Sequence, residues 1–474
     1  MSHDEGVRIE RLGRVGRIVL DRPRALNALT LTMVERIHAA LDEWRHDPDL
    51  RAVTVESASE RAFCAGGDIR RVRENTLAGR HDESLRFFTT EYAVNALLGA
   101  YPVPVVALVG GLCLGGGMGL SVHGPFRVVG PDASFAMPET KIGFFPDVGA
   151  THFLPRLPGA VGRYLGLTGA RVGAADALAL GLATHACSAA DLARLPVLID
   201  AHDGPLETLL RSLAPADALD QPGPLSAVRA DIDRVFGAAD LAGVRDRLDA
   251  LDSDWAKETR AALDAASPAS LALTDRLLAE GRERDLPGCL AAELDAARTT
   301  IASPDFVEGV RAVLVDKDHA PRWAATPTVR PATVRPATTA DLDAIFAIRT
   351  SVTENHLSRD QLTELGITAD ALGAAIADGP ECLWVAEVAG VPAGFAMVDA
   401  DDACVFACFV GPQHEGLGLG RLLMERAESA LLADHPVIWL TTDGASRAAG
   451  FYRRLGWTAV ADLPDGDLRF EKRR

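Results

Sequence analysis

Two glycine-rich turns and two acids in the first half of the chain have types and spacing that could do chemistry. The turns are AGGD at residues 65–68 and GGG at residues 115–117, and the acids are Glu139 and Asp147 within AMPETKIGFFPDVGA. Glycine lets the backbone approach a ligand closely, and two free amides from separate turns can stabilise an oxyanion. Two acids at one cleft can supply a nucleophile or base and a group that tunes it. Each feature alone is also typical of an ordinary turn or a solvated loop.

A third glycine-bearing loop lies near the carboxyl end of the chain, in the segment EGLGLGRLL at residues 415–423. It follows the strand-like run FACFVGP and precedes a helical pattern. Successive amides from Glu415 to Gly420 can hold a pyrophosphate at the N-terminus of such a helix. A glycine turn before a helix is common, so the loop becomes informative through its order of strand, loop and helix.

The elements around the first two turns predict an α/β fold with layered sheets. The runs VGRIVL and RAVTVES indicate strands, and TLTMVERIHAALDEWRHD places Met33, Ile37, Leu41 and Trp44 on one helical stripe. The segment PVPVVALVGGLCLGGGMGLSVHG predicts a buried strand, a glycine-rich turn and a helix. From about residue 159 the pattern is almost entirely helical. Alternation of strand, loop and helix is typical of layered α/β domains.

A Pro/Ala/Thr-rich stretch divides the chain into two predicted domains. The pentad TVRPA occurs twice, at Thr328–Ala332 and Thr333–Ala337, and its prolines disfavour helix and favour extended backbone. We predict a first domain over residues 1–323, a linker over residues 324–333 and a second domain over residues 334–474. The second region alternates strand-like runs with a glycine loop and helices, which predicts a smaller mixed α/β domain.

Length and composition narrow the classes of function. The 474 residues require more than one domain, and 48% hydrophobic with 24% charged residues is typical of a soluble globular protein. A net charge of −18 argues against nucleic acid and anionic membranes as partners. The seven cysteines form no CxxC pair or zinc spacing, and no apolar run is long enough for a membrane span. We expect a cytoplasmic protein with reduced thiols, no metal site and no membrane segment.

The order of the motifs FCAGGDI, GLCLGGGMGLSVHG and FAMPETKIGFFPDVGATHFLPRLPG resembles the crotonase (enoyl-CoA hydratase/isomerase) superfamily. The phrases LTGARVGAADALALGLATH and SPDFVEGVRAVLVDKDHAPRW make the 3-hydroxyisobutyryl-CoA hydrolases the most similar subgroup, over about residues 7–323. The resemblance implies a crotonase-like ββα spiral fold. It also implies hydrolysis of a short-chain acyl-CoA thioester, 3-hydroxyisobutyryl-CoA, to 3-hydroxyisobutyrate and CoA in valine catabolism.

The resemblance implies a role for particular residues of the first domain. The backbone amides of Gly67 and Gly116 bind the thioester oxygen, and the acids Glu139 and Asp147 are catalytic. Glu91, in the upstream EY motif, contributes to the substrate site. The remaining substrate-binding positions lie in the AGGD turn and in a turn against the CoA nucleotide: Ala25, Leu26, Ala65 and Asp68. The substrate is thus a small-molecule acyl-CoA, and no tightly bound cofactor is expected.

Two departures from the hydratase pattern favour thioester hydrolysis. Hydratases of the superfamily carry a glutamate two residues after the glycine triplet, where this chain has Gly119, and they have glycine where this chain has Asp147. The alternative is an enoyl-CoA hydratase/isomerase, since an isomerase could work with Glu139 alone. Whether Glu139 attacks the thioester to form an anhydride or activates a water stays open.

The second region resembles the GNAT family of N-acetyltransferases over about residues 334–474. The resemblance is in VRPATTADLDAI, the loop EGLGLGRLL and AAGFYRRLGW. It implies that Phe409 and Val410 pair with the pantetheine arm of acetyl-CoA. It also implies that Tyr452 protonates the departing thiolate, although Tyr452 could equally be an aromatic packed behind the sheet. The loop positions implied to bind acetyl-CoA are Gly416, Gly418, Gly420 and Arg421.

Two departures leave alternatives open for the second region. Glu415 stands where the family has Gln or Arg, and Ala445 stands where it commonly has Asn. The region is therefore either an N-acetyltransferase with an unknown amine acceptor or a CoA-sensing or docking module. The oligomeric state stays open, a homo-oligomer included. Both regions are expected to bind the polyanion CoA through local amide-lined turns and a few arginines, since the net charge is −18.

Overall fold

The computed structural model describes most of the chain in two compact units, Met1–Ala324 and Ala325–Arg474. The described residues are 6–213, 222–324, 333–352, 354–379, 381–388, 390–415, 418–444, 446–463 and 466–473. Most of the predicted linker at 324–333, with the first TVRPA pentad, lies outside them, so the domain boundaries stay a prediction. The two units are described separately.

The first unit is built on two sheets, and from β3 to β8 successive strands of the chain alternate between them. Its strands are β1 (Val7–Leu12), β2 (Val15–Leu20), β3 (Ala52–Ser57), β4 (Ala62–Cys64), β5 (Val105–Val109), β6 (Leu112–Leu114), β7 (Phe126–Val129), β8 (Ser134–Ala136), β9 (Val172–Gly173) and β10 (His185–Ala186). The larger sheet has the order β1-β2-β3-β5-β7-β10 and the smaller one β4-β6-β8-β9. The pairs β3/β4, β5/β6 and β7/β8 each give one strand to each sheet, which is the predicted ββα spiral.

Helices surround these sheets and form the end of the first unit. They are α1 (Leu31–Trp44), α2 (Ile69–Leu77), α3 (His81–Gly99), α4 (Gly116–Ser121), α5 (Ala150–Phe153), α6 (Val161–Thr168), α7 (Ala174–Leu180), α8 (Ala189–Ala201), α9 (Leu206–Ser212), α10 (Leu225–Phe236), α11 (Leu241–Asp249), α12 (Asp254–Ala265), α13 (Pro268–Gly281), α14 (Leu286–Thr300), α15 (Pro304–Val310) and a π-helical turn, Arg311–Val315. The Thr30 side chain caps α1, and the predicted stripe Met33, Ile37, Leu41 and Trp44 is buried.

One stretch differs from the prediction. The run from Val105 to the glycine triplet forms two strands, β5 and β6, where the sequence indicated a single strand before the turn. The break falls at Gly110 and Gly111, and Gly111 has φ +66°, a conformation that favours glycine. The break lets the chain leave the larger sheet and enter the smaller one.

The smaller sheet brings the chemistry-bearing segments of the first unit together. Strands β4, β6 and β8 are parallel neighbours, β6 pairing with both of the others. The AGGD turn follows β4, the GGG turn follows β6, and Glu139 follows β8 in the short 3₁₀ turn Glu139–Ile142. Since the carboxyl ends of parallel strands meet at one edge of a sheet, three segments far apart in sequence meet there.

The second unit is a single mixed sheet with helices on both faces. Its elements are β11 (Thr333–Pro336), α16 (Leu342–Ser351), α17 (Arg359–Glu364), α18 (Ala369–Asp378), β12 (Leu383–Val388), β13 (Val391–Asp399), β14 (Cys404–Val410), α19 (Leu419–Asp434), β15 (Val437–Asp443), α20 (Arg447–Arg454), β16 (Thr458–Asp462) and β17 (Asp467–Arg473). The strand order is β11-β12-β13-β14-β15-β17-β16. Helices α16–α18 pack in one apolar cluster and α19 with α20 in another.

Strands β14 and β15 diverge within this sheet. They are parallel and pair at Cys404 and Trp439, at the start of β14, whereas β14 continues to Val410 paired with β13. The carboxyl-terminal part of β14 therefore has an open edge toward β15 among the described residues. No helix in the described part of either unit is long and apolar enough to cross a membrane.

Candidate active site

The two glycine turns of the first unit lie against each other with free backbone amides. Leu29 holds the first turn, because its amide donates to Gly66 O at 2.8 Å and its carbonyl accepts from Asp68 N at 2.8 Å. Among the described residues, the amides of Gly67 and Gly116 donate no hydrogen bond. A Cβ placed on Gly116 would lie 3.4 Å from Gly67 N, so the two turns are in contact. Two unengaged donors on adjoining turns can bind one anionic oxygen.

Two carboxyl groups lie directly over the GGG turn. A Cβ on Gly115 would lie 2.6 Å from Glu139 Oε1, and one on Gly116 would collide with Glu91 Oε1. Glu91 comes from α3, and its side chain is 2% exposed, against 7% for Glu139. Glycine is thus required in this turn for the space the acids occupy, and Gly115 also has φ +48°.

A third carboxyl group, Asp147, completes the cluster. It is 5% exposed and accepts a hydrogen bond from the Tyr92 hydroxyl at 2.7 Å. Glu91 Oε1 and Glu139 Oε2 are buried with no hydrogen-bond partner among the described residues. Buried acceptors without a hydrogen bond reduce the free energy of unfolding, and in a functional site they indicate groups that bind a ligand.

Burial controls the ionisation of these three acids. Burial raises the pKa of Glu91 well above its usual range, and the charges of Asp147 and Glu139 raise it further. Burial and then the charge of Asp147 do the same for Glu139. Burial raises the pKa of Asp147 to about 7, although the hydrogen bond from Tyr92 opposes the shift. Three acids in one dry site cannot all ionise, so the cluster holds protons near neutral pH.

The position of the hydratase glutamate is closed. A Cβ on Gly119 would lie 2.7 Å from Val148 Cβ and 2.8 Å from Asn95 Nδ2. Val148 has φ +53°, which is strained for a β-branched residue. Its carbonyl is held at 2.8 Å by His123 Nε2. The side chain beside Asp147 therefore fills the space that a second catalytic glutamate would need.

The profile of the family described as enoyl-CoA hydratase/isomerase matches residues 15–346. The chain belongs to the enoyl-CoA hydratase/isomerase family. Curated relatives include the mitochondrial 3-hydroxyisobutyryl-CoA hydrolases of Danio rerio, 41% identical over 323 residues, and of Homo sapiens, 38% identical over 348 residues. These alignments cover 67% and 72% of this chain and 84% and 88% of the relatives.

Solved structures agree with this membership. An enoyl-CoA hydratase from Rhodobacter sphaeroides 2.4.1 matches with a TM-score of 0.63 and 40% identity, over 69% of this chain and 95% of that one. A carnitinyl-CoA dehydratase from Mycobacterium thermoresistibile matches with a TM-score of 0.63 and 35% identity, over 68% and 92%. A second profile, described as acetyltransferase (GNAT) domain, matches residues 353–465. The predicted combination of a crotonase-type domain and a GNAT domain is confirmed.

The enoyl-CoA hydratase/isomerase domain also contains the turn predicted to lie against CoA. Leu26, with φ +49°, accepts a hydrogen bond from Ala65 N at 2.9 Å, so this turn and the AGGD turn are adjacent. Ala25 ends the short 3₁₀ turn before Leu26. Asp68 caps α2 through Arg71 N and pairs with Arg22 at 2.9 Å. These four predicted positions thus belong to two adjacent turns.

A cavity of about 540 Å³ reaches the AGGD turn of this domain at Asp68. Its walls come from the start of α1, from α2 and from α3, and they include Leu29, Asp68 and Phe87. A Cβ on Gly67 would lie 3.0 Å from the Phe87 ring, and one on Gly116 would lie 3.3 Å from Leu29 Cδ1. Phe87 and Leu29 therefore line the cavity and also lie against Gly67 and Gly116.

Sequence reasoning missed Tyr92, which holds Asp147, and two further residues of the site. Asn95 is fully buried, and neither its Oδ1 nor its Nδ2 has a partner among the described residues. It lies four residues after Glu91 on α3, the spacing that puts side chains on one helix face, and that polar pair was the available signal. Glu293 on α14 accepts from Gly149 N at 2.7 Å and from Thr151 N at 3.0 Å, and it had no local signal.

Glu293 fixes the loop that carries Asp147. Burial raises the pKa of Glu293 to about 8, while its hydrogen bonds from Thr151 and Gly149 oppose that shift. These donors lie two and four residues after Asp147, so Glu293 sets where the loop runs. The described residues contain no group of His, Cys, Asp and Glu side chains that could hold a metal ion.

In the GNAT domain, the glycine loop is described in part. Gly416 and Ala445 lie outside the described residues. Gly418, with φ +76°, precedes α19, and a Cβ on Gly420 would lie 3.3 Å from the Phe451 ring. Arg421 is exposed and pairs with Glu425 at 2.9 Å. Of these positions, Gly420 contacts β14, since Cys408 Sγ lies 4.0 Å from its carbonyl oxygen.

The contacts of Glu415 and Tyr452 in the GNAT domain bear on the roles predicted for them. Glu415 is paired with Arg447 at 3.2 Å, so the acid that departs from the family pattern has a cation beside it. Tyr452 is buried against Trp457 and Phe470, and burial raises its pKa well above its usual range. The phenol therefore stays protonated, which suits both a proton donor and a packed aromatic.

The predicted pantetheine-pairing residues lie where β14 has lost its parallel neighbour. Phe409 pairs with Phe395 of β13, and Val410 pairs with Gly394. The Phe409 ring packs 5.7 Å from the Phe395 ring and lies under the guanidinium of Arg349. The backbone of this part of β14 is thus available on its other edge.

Proposed function

We propose that the first unit hydrolyses a short-chain acyl-CoA thioester, 3-hydroxyisobutyryl-CoA, to 3-hydroxyisobutyrate and CoA. The observation that carries this proposal is the closed position at Gly119, which leaves no room for the second glutamate of a hydratase. The curated relatives at 41% and 38% identity are 3-hydroxyisobutyryl-CoA hydrolases. The hydratase and dehydratase among the solved relatives do not decide the reaction, because one fold hosts several chemistries.

In the proposed reaction, the amides of Gly67 and Gly116 bind the thioester oxygen. These donors are free among the described residues, and they stabilise the negative charge that develops when the carbonyl carbon is attacked. Glu139, whose Oε2 has no partner there, is placed to react once it has lost its proton. It either attacks the carbonyl carbon, giving an anhydride and CoA thiolate, or takes a proton from an attacking water.

We propose that Asp147 raises the pKa of Glu139 and that Asp147 and Glu91 position the acyl chain. The charge of Asp147 raises the pKa of Glu139, and Asp147 is itself fixed by Tyr92. A carboxyl group held neutral by burial can donate as well as accept a hydrogen bond. Glu91, with its free Oε1, and Asp147 are therefore suited to bind the 3-hydroxyl group of the acyl chain.

Thiol release from (S)-3-hydroxyisobutyryl-CoA, followed with a thiol dye, tests the proposal. Wild-type protein should release CoA, and Glu139→Gln should reduce kcat by about 10²–10⁴-fold, the usual contribution of acid–base groups. Glu60→Gln, at an exposed loop position, is the matched control. Hydration of crotonyl-CoA without thiol release would overturn the assignment.

Oxygen-18 distinguishes the two roles proposed for Glu139. Single turnover in labelled water that places oxygen-18 in the Glu139 carboxyl group requires an anhydride. The base route places the label in the product alone. The base route also leaves no adduct on Glu139 that hydroxylamine can trap. The labelling and trapping measurements together therefore distinguish nucleophilic attack from base catalysis.

For the GNAT domain we propose acetyl-CoA-dependent acetylation of an amine. The support is the open edge of β14, whose Cys408 contacts Gly420 at the start of α19, with Tyr452 as a protonated phenol on the same unit. Calorimetric titration with acetyl-CoA and mass spectrometry of an amine panel test this activity. Binding without turnover on any amine would favour the sensing or docking module instead.

Three further proposals concern the context of the whole chain. We infer domains over residues 1–323 and 334–474 with the linker 324–333, a cytoplasmic location and CoA binding that does not depend on the overall field. Limited proteolysis at the linker tests the domain boundaries, and fractionation of cells tests the location. The mass of the particle in solution gives the oligomeric state. A homo-oligomer is compatible with the family.

A further inference from the structure

The GNAT domain contains a small cavity on the face covered by α16–α18. Its volume is about 150 Å³, similar to an apolar cavity that binds benzene. Its walls are apolar or aromatic apart from Arg349 and Asn355: Ile345, Phe346, Leu362, Ile367, Leu372, Phe395, Met397, Phe406, Ala407 and Phe409. Such a cavity suits a phenyl ring or a branched aliphatic group.

One ionisable side chain, Arg349, lines this cavity. It is 8% exposed and is one of the buried residues of α16, with Ile345 and Ile348. Its Nη1 donates to Asn355 O at 2.9 Å, and its guanidinium lies 4.4 Å from the centre of the Phe409 ring. Asn355 has φ +54°, so its backbone is turned in a conformation that Asn tolerates and that aims the carbonyl at Arg349.

No carboxylate of the described residues forms an ion pair with Arg349. Most other buried or half-buried arginines of the chain do, as Arg335 does with Asp341 at 2.8 Å. Burial lowers the pKa of Arg349, but an arginine stays charged in proteins. One of its five donors is bonded among the described residues, and its unbonded nitrogens are not fully enclosed, since Arg349 lines the cavity. A carboxylate that enters the cavity can therefore bond to them and supply the missing ion-pair partner.

A second cation strengthens the preference for an anion. The guanidinium of Arg359 lies 4.6 Å from the centre of the Phe346 ring, which also lines the cavity. Arg359 is exposed and has no ion-pair partner in the described segments. Arg349 in the cavity wall and Arg359 over one of the wall residues thus both lack a carboxylate partner among the described residues, in a chain of net charge −18. The planar guanidinium matches a carboxylate in a bidentate geometry.

We propose that this cavity binds the acetyl acceptor, and that the acceptor is an apolar α-amino acid or a similarly small amine bearing a carboxylate. The proposal rests on the acetyl-transfer function proposed above. Ala407 and Phe409 line the cavity from the part of β14 that has an open edge. A ligand with its carboxylate on Arg349 and its side chain in the cavity has its amine free to turn toward that strand.

The proposed step balances in atoms and protons. The neutral amine nitrogen bonds to the acetyl carbon as the carbon–sulfur bond breaks. The nitrogen loses a proton to solvent, and the departing CoA thiolate takes one from Tyr452, which regains it from solvent. The products are the N-acetylated acid and CoA.

Product formation with the full-length protein tests the proposal. Acetyl-CoA is supplied with L-leucine or L-phenylalanine and, separately, with their amides or phenethylamine, and products are measured by mass spectrometry. Because the N-acetylated product itself is measured, CoA released by the first unit does not affect the result. We expect the free acids to have kcat/KM at least about 30-fold above the amides, since a charged hydrogen bond contributes about 2 kcal/mol. Amides acetylated as well as acids would overturn the proposal.

Variants locate the effect at Arg349. Arg349→Gln should raise KM for L-phenylalanine by about 30-fold or more with little change for phenethylamine, and Arg349→Lys should restore part of the loss. Arg426→Gln, at an exposed position on α19 and outside the cavity lining, is the matched control. An unchanged KM in Arg349→Gln would contradict the assignment. If Arg349→Gln does not fold, the comparison of acids with amides on the wild type still decides.

Binding separates this proposal from the acetyl-transfer function. Calorimetry with L-phenylalanine alone should show binding that Arg349→Gln removes. If acetyl-CoA does not bind but L-phenylalanine does, the transfer function fails and the cavity assignment stands. If other amines are acetylated while L-phenylalanine and L-leucine neither bind nor react, the transfer function stands and the cavity assignment is wrong.

Discussion

The closed position at Gly119 makes a quantitative prediction about packing. Gly119→Ala places a methyl group 2.7 Å from Val148 Cβ, 2.8 Å from Asn95 Nδ2 and 3.1 Å from Val148 Cγ2. Overpacking of this kind costs about 1–3 kcal/mol. Alanine gains roughly 0.5–1 kcal/mol over glycine inside a helix such as α4. Two of these contacts are shorter than 3.0 Å, so the upper part of that range, about 2–3 kcal/mol, applies. We therefore expect a net destabilisation of about 1–2.5 kcal/mol, which for a unit of this size is a fall of about 2–4 °C in Tm.

The partner substitution Val148→Gly tests the physical cause. It removes both contacting Val148 atoms and relieves a φ of +53°, so the double variant should be more stable than the sum of the single effects by about 1–2 kcal/mol. The assay is the calorimetric transition that coincides with loss of thioesterase activity. Gly173→Ala is the matched control, because a Cβ there meets nothing within 4 Å. A Gly119→Ala protein as stable as the wild type, or purely additive effects, would refute the reasoning.

Other predictions follow from the buried groups. Asp147→Asn removes a charge that raises the pKa of Glu139, so the ascending limb of kcat/KM against pH should move to lower pH; an unmoved limb contradicts the coupling. Burial raises the pKa of Glu293 from 4.5 to about 8, so the unfolded state loses that proton at lower pH than the folded state does. Stability should therefore fall as pH rises through this window, and Tm measured at several pH values should fall less in Glu293→Gln. Burial raises the pKa of Cys113 to about 12 and that of Cys64 higher, so peptide mapping after thiol labelling should show both modified only in denatured protein. CoA binding should weaken only modestly with salt, and a steep dependence would show that the overall field matters.

The acid cluster connects stability with function in the first unit. Unpartnered buried carboxyl oxygens on Glu91 and Glu139 reduce folding free energy, since each group has left water without a replacement bond. Substrate hydrogen bonds would restore that loss on binding. Strain and unsatisfied groups of this kind are typical of functional sites, and here they are held by Tyr92 and by Glu293.

Much of this protein could be predicted from sequence because the signals are local. The glycines of the two turns, the helical stripe of α1 and the alternation of strands and helices depend on backbone conformation and periodicity within a few residues. Motifs in a fixed order identified both families, and the comparisons confirm them. The absence of a side chain at Gly119 was visible in the sequence as well.

The tertiary structure decided what depends on residues far apart in the chain. Local sequence gives no signal for three of these arrangements. Glu91 lies over the GGG turn, Asn95 and Val148 fill the space at Gly119, and Glu293 holds the loop after Asp147. The same is true of Arg349, whose lack of a carboxylate partner among the described residues follows from the packing of α16 against β14. Burial and electrostatic pairing are properties of neighbours in space, and the fold alone determines which neighbours meet.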